Sequence, residues 1–173
     1  MDWTRSIDAY CERTDPGYWA EPINAVTNVA FILAALIMWR RCAGLPSGRV
    51  LSAILFAIGI GSYLFHTHAT PWAALLDTTP IVAFSLTYIF LANRDFWAWP
   101  VWMSAIGAAA YVPYSMALGP VFQALPFFAI SFFYWPLPVL IFAYAFLLRR
   151  RHPETSRNLA RGERYAQDRG TER

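Results

Sequence analysis

The chain has 173 residues, 57% hydrophobic, 17% aromatic and only 14% charged, well below the roughly one quarter charged that a soluble domain carries. Net charge is +3 and every strong base is Arg, because the sequence contains no Lys; those Arg residues cluster beside apolar runs, where they report membrane topology and give no nucleic-acid site. A soluble helical bundle would need a polar face on each helix, and 127–148 has almost none, so the composition predicts an all-α integral membrane protein, a polytopic helix bundle.

Residues 1–23 form an acidic lead-in carrying Asp2, Asp8, Glu12 and Asp15, unlike the short basic region that opens a cleavable signal peptide. Pro22 suits the first turn of a helix, where a missing N–H costs nothing. Apolar runs near the membrane thickness follow at 24–41, 50–66, 73–93, 98–118 and 126–148, which predicts five spanning helices. Arg40, Arg41 and Arg49 follow the first run, Arg94 the third, and Arg149, Arg150 and Arg151 the fifth; by the positive-inside rule these loops are cytoplasmic and the N-terminus is outside.

Pro71 begins the turn after His68, and Asp77-Thr-Thr-Pro80 is predicted to open the third helix, making a tight outer hairpin with the second. Pro113 lies in the fourth helix and Gly119-Pro120 ends it; Pro126, Pro136 and Pro138 then predict a bend or partial re-entry before the fifth. The transmembrane domain thus covers 24–151, and 152–173 is a polar, charged stretch read as a disordered cytoplasmic tail. Cys11 and Cys42 are one pair at most, placed on opposite sides of the membrane, so no disulfide is expected.

The chemistry concentrates at Ser62, His66 and Asp77. Ionisable groups inside a membrane segment are expensive and are kept for function. Ser62 and His66, four apart, share one helix face, and the hairpin brings Asp77 to a similar depth. Imidazole suits Zn²⁺, a carboxylate ligates or acts as a base, and a hydroxyl donates to a developing oxyanion. The competing reading has Ser62 and His66 bonding to backbone carbonyls while Asp77 caps the third helix; three such residues at one depth favour the functional reading. His68, two residues on, points to another face and reads as interfacial. A haem bracketed by two histidines finds no support, since both lie at one helix end.

A second constellation is Asp8, Glu12 and Glu21, carboxylates that can wrap a hard cation or simply favour the positive end of a helix. Glu21, Asn24 and Asn28 carry polarity from this segment along one side of the first helix.

The strings Asp8-Ala-Tyr-Cys-Glu12-Arg, Ala20-Glu21-Pro-Ile-Asn24-Ala-Val-Thr-Asn28, Gly61-Ser62-Tyr-Leu-Phe-His66-Thr and Leu76-Asp77-Thr-Thr-Pro80 resemble the alkaline ceramidase family, part of the seven-helix membrane hydrolases that include the adiponectin receptors. The resemblance implies an active-site zinc with His66 as a ligand, Ser62 as the adjoining hydroxyl and Asp77 as the carboxylate near the metal-bound water. It also implies a calcium site at Asp8, Glu12 and Glu21, with Tyr10 giving a carbonyl. The implied reaction is hydrolysis of the amide bond of ceramide or a similar N-acyl membrane lipid, in a bacterial inner membrane.

The family's seventh helix carries a His-x-x-x-His pair that supplies two more zinc ligands, and this sequence has no such pair. Ser156-Arg-Asn-Leu-Ala-Arg-Gly resembles the family's approach to its sixth helix, after which the sequence turns polar. Two alternatives are open: a truncated, non-catalytic lipid-binding protein or relic, or a partner chain that supplies the missing helices. A receptor-like module holding a lipid in a cavity between helices is a third.

Overall fold

The computed structural model of the chain describes residues 2–8 and 10–149. The 152–173 tail, with Arg150 and Arg151, lies outside the described residues. By internal contacts the chain divides into two units, one ending at Thr87 and the other beginning at Tyr88.

In the first unit, α1 (Pro22–Thr27) and α2 (Val29–Arg41) together make one apolar span, Pro22–Arg41, of 20 residues. Pro22 occupies the first turn as expected. The interruption falls at Asn28, whose side-chain amide donates to the Asn24 carbonyl at 2.7 Å and so competes with the backbone for that acceptor. Helix α3 (Pro46–His68) follows after a short turn, and α1 and α2 both pack against it. Gly59 makes the α2 contact possible: a Cβ there would stand 2.6 Å from Ile32 Cγ1 and 3.1 Å from its backbone N. Arg49 lies over the Trp39 ring at 5.3 Å where α2 turns into α3, a cation–π pairing of two residue types that favour a membrane boundary.

Helix α3 ends on Ala69 in the left-handed conformation (φ 45°), and the Ala69 carbonyl accepts the Ile7 N–H at 2.7 Å. The N-terminal segment is thereby tied to the corner between α3 and α4 (Pro71–Phe96). Asp77 lies in the second turn of α4, because Pro71 starts the helix. The expectation that Asp77-Thr-Thr-Pro80 opens this helix is therefore corrected, and Asp77 is not its cap.

Pro80 sits inside α4. Having no N–H, it leaves the Leu76 carbonyl without its helical donor. That carbonyl abuts Gly61, where any Cβ would collide with it and would stand 3.2 Å from the Asp77 N. Gly61 and Pro80 together let the backbones of α3 and α4 meet at the level of Ser62 and Asp77.

The second unit holds the end of α4, then α5 (Val101–Ala109) and α6 (Tyr111–Gln123), which form a single 23-residue apolar stretch. The break between them lies one turn before Pro113, whose ring clashes with the preceding carbonyl and removes one backbone bond. Gly119-Pro120 does not end the helix, which continues to Gln123. Turns and a 3₁₀ segment, Ala129–Ser131, lead into α7 (Pro136–Leu148), of 13 residues.

Among the described residues, four helices are long and apolar enough to cross a membrane. Of the fifth predicted run, 126–148, the part from Pro136 onward forms α7, a shorter apolar helix of about 20 Å at 1.5 Å per residue. Pro126, Pro136 and Pro138 explain the shortening, since 124–135 adopts the bends that prolines favour.

Asn93 is fully buried in this unit. Its Oδ1 accepts the Tyr144 hydroxyl at 2.7 Å, while Gly107 lies so close that a Cβ would meet Asn93 Nδ2 at 2.6 Å.

Candidate active site

Ser62, His66 and Asp77 are all buried, at 9%, 7% and 6% exposure. The four-residue spacing in α3 puts the first two on one face, as expected. The Gly61–Leu76 contact sets α4 against that face. The Asp77 carboxylate faces the Ser62 hydroxyl and lies within electrostatic reach of His66. Its Oδ1 is buried without a hydrogen-bond partner, a costly arrangement in a membrane segment and one suited to an atom that acts on a ligand.

His66 is held from the other side. Its Nδ1 lies 2.6 Å from Glu21 Oε2, and Glu21 is 1% exposed. The carboxylate is an acceptor, so Nδ1 carries the hydrogen, and in the neutral imidazole Nε2 is then the nitrogen with the lone pair. The other Glu21 oxygen, Oε1, accepts from Arg13 Nε at 2.6 Å. Arg13 also donates through Nη2 to the His66 carbonyl at 3.1 Å and through Nη1 to the Asp15 and Gly17 carbonyls at 3.3 Å each. His66 lies in the last turn of α3, where carbonyls lack helical donors and a cation is favoured. The Tyr10 ring completes the wall, edge-on to the His66 ring at a centroid distance of 4.9 Å.

The sequence pattern groups Glu21 with Asp8 and Glu12 and gives Arg13 no part in a site. The structure brings Glu21 and Arg13 onto His66 instead. The only sequence trace of this arrangement was polarity continuing past Pro22 through Glu21, Asn24 and Asn28. Glu12 caps α1, its Oε1 accepting the Ile23 N–H at 2.7 Å and its Oε2 the Asn24 N–H at 3.1 Å. Asp8 is exposed. His68 is also exposed, edge-on to Tyr18 and Trp72 at 5.2 and 5.1 Å, in keeping with an interfacial role. Cys11 is exposed and Cys42 buried, and neither is in a disulfide.

Among the described residues no group of three His, Cys, Asp or Glu side chains converges on one point. For zinc, the chemistry of the donors fits in part: an imidazole with Nε2 available, fixed at Nδ1 by a carboxylate in the manner of second-sphere partners, and an unpartnered Asp77 oxygen. For calcium the fit fails, because both oxygens of Glu12 and both of Glu21 have other partners. A shallow groove lined by Thr78, Thr79, Val82, Ala83 and Leu86 centres about half a turn around α4 from Asp77, so it does not open onto this site.

A family model described as Ceramidase matches residues 4–165. No curated protein and no solved structure matches the chain.

Proposed function

The chain belongs to the ceramidase family, and on that premise we propose that it is a membrane hydrolase of the amide bond of ceramide or a similar N-acyl lipid, acting through His66, Ser62 and Asp77. The observation that carries the reading is the buried His66, oriented by Glu21 across from a buried Asp77 oxygen that has no partner. Packing alone gives no reason to spend a carboxylate and an imidazole there.

Zinc, held by His66 Nε2 with Asp77 beside it, would polarise the amide carbonyl and lower the pKa of a bound water. Glu21 fixes the imidazole tautomer that presents Nε2 inward. Asp77 accepts a proton at its unpartnered Oδ1 and returns it to the leaving amine, and the Ser62 hydroxyl donates to the oxygen that gains charge. The basic residues at the ends of α2 and α4 would lie in the cytoplasm, so this site would face the outer side of a bacterial inner membrane.

The test uses the full chain in lipid nanodiscs with a fluorescent N-acyl sphingoid base. Fatty-acid release with stoichiometric zinc, both lost in His66→Ala, is the expected result. A zinc-free, inert wild type would overturn the reading for this chain.

The absence of a three-ligand group among the described residues favours a second reading. Here the chain binds lipid without cleaving it, or works only with a partner chain that supplies ligands, since a catalytic zinc usually has three from protein. Co-expression with a seven-helix homologue, followed by zinc analysis of any complex, separates the two cases.

A further inference from the structure

We infer that Arg13 is the resident cation of the N-terminal segment, its guanidinium filling an oxygen cage that would otherwise suit a divalent metal, so that Glu21 and His66 are held in place without calcium. The inference goes beyond the hydrolase reading and does not depend on it.

Arg13 is buried, at 7% exposure. It gathers a carboxylate oxygen and three backbone carbonyls: Glu21 Oε1 at 2.6 Å, Asp15 and Gly17 at 3.3 Å, and His66 at 3.1 Å. Carboxylates mixed with backbone carbonyls, drawn from a loop and from helix ends, are the oxygen set that Ca²⁺ uses. Here the planar guanidinium spans the set with its fork of N–H donors, which point in fixed directions and cannot lose their charge.

Charge balance points the same way. The cage contains one carboxylate, Glu21, which one guanidinium neutralises. A divalent ion on the same oxygens with Arg13 still present would bury excess positive charge, which is strongly unfavourable. The neighbouring carboxylates do not redress this, since Glu12 is committed to the backbone amides of Ile23 and Asn24, the exposed Asp15 accepts the Gly17 N–H and Asp8 is exposed. Arg13 acts on the site as a positioning residue. It fixes Glu21, and Glu21 fixes the His66 ring.

Removing the guanidinium should therefore expose a vacant oxygen cage and create calcium dependence. The experiment measures equilibrium binding of calcium alone, and melting temperature with calcium or with a chelator, on the full chain in detergent. Neither readout uses lipid turnover, so this inference and the hydrolase reading fail separately. The wild type should melt at the same temperature in both conditions. Arg13→Ala should melt lower in chelator and recover at least half of that loss on adding calcium, and the second substitution Glu21→Gln should abolish the recovery.

Calcium stabilisation of the wild type that Glu21→Gln removes would overturn the inference. So would an Arg13→Ala protein that folds and stays indifferent to calcium. Should Arg13→Ala not fold in either condition, Arg13→Lys decides. It keeps the charge and should stay calcium-independent, and a calcium response there overturns the inference.

Discussion

The two units bury polarity in different ways. The unit ending at Thr87 encloses ionisable groups, Arg13, Glu21, His66 and Asp77, around one face of α3. The unit from Tyr88 encloses neutral ones, with Asn93 accepting from Tyr144 and its Nδ2 left without a partner. A neutral pair between membrane helices is worth about 0.6 kcal/mol on average, enough to fix the register of packing helices and little more. Charged groups cost far more to enclose and are retained where they act on something. Each unit has a glycine at its polar centre, Gly61 against the Leu76 carbonyl and Gly107 against the Asn93 side chain. The first contact sets two backbones together beneath a candidate site; the second makes room for an amide.

This contrast can be broken or sharpened by substitution. The largest effect is expected at His66: His66→Ala should lower lipid hydrolysis about 10³-fold or more, the scale on which a group acting on the reacting atoms is felt, while far-ultraviolet circular dichroism stays that of a folded helical protein. Retained turnover would show that the ionisable cluster is structural after all. Glu21→Gln leaves the buried Arg13 charge uncompensated and should cost about 3–5 kcal/mol in stability, read as a lowered denaturant midpoint in detergent. It should also loosen His66, lowering zinc affinity or activity about 10–100-fold. A neutral outcome would place Arg13 and Glu21 outside the site.

Gly61→Ala comes next. Its Cβ meets backbone, which cannot rotate away, so α3 and α4 must shift, at a cost of about 1–3 kcal/mol, with hydrolysis falling alongside. Gly107→Ala meets only side-chain atoms of Asn93 and Trp99 and should be milder when both melting temperatures are compared. The smallest change is expected for Tyr144→Phe, about 0.6 kcal/mol with zinc content unaltered. A larger loss of zinc there than in Glu21→Gln would invert the comparison.

Much of the site was legible before the structure. Ser62 and His66 follow from helical spacing, and Asp77 from the expected hairpin after His68. The cap reading of Asp77 failed because Pro71, expected to begin the turn, is instead the first residue of α4. The fifth run begins its helix later than hydropathy alone suggests, at Pro136, because hydropathy is blind to backbone geometry. The residues 126–135 are apolar enough for a helix, but the prolines around them direct the chain into turns.

The sequence by itself determined the all-helical membrane class, the order of the spans, the bends between Pro126 and Pro136 and the presence of a polar face on α3. These depend on composition and on periodicities of a few residues, which neighbouring positions impose on one another. Only the tertiary structure decided that Glu21 serves His66, that Arg13 serves Glu21, and that Gly61 seats Asp77. Arg13 and His66 are 53 residues apart. No local pattern encodes which oxygen a buried guanidinium will reach, because that choice is made when burial removes water and every charge must find its partner within the protein.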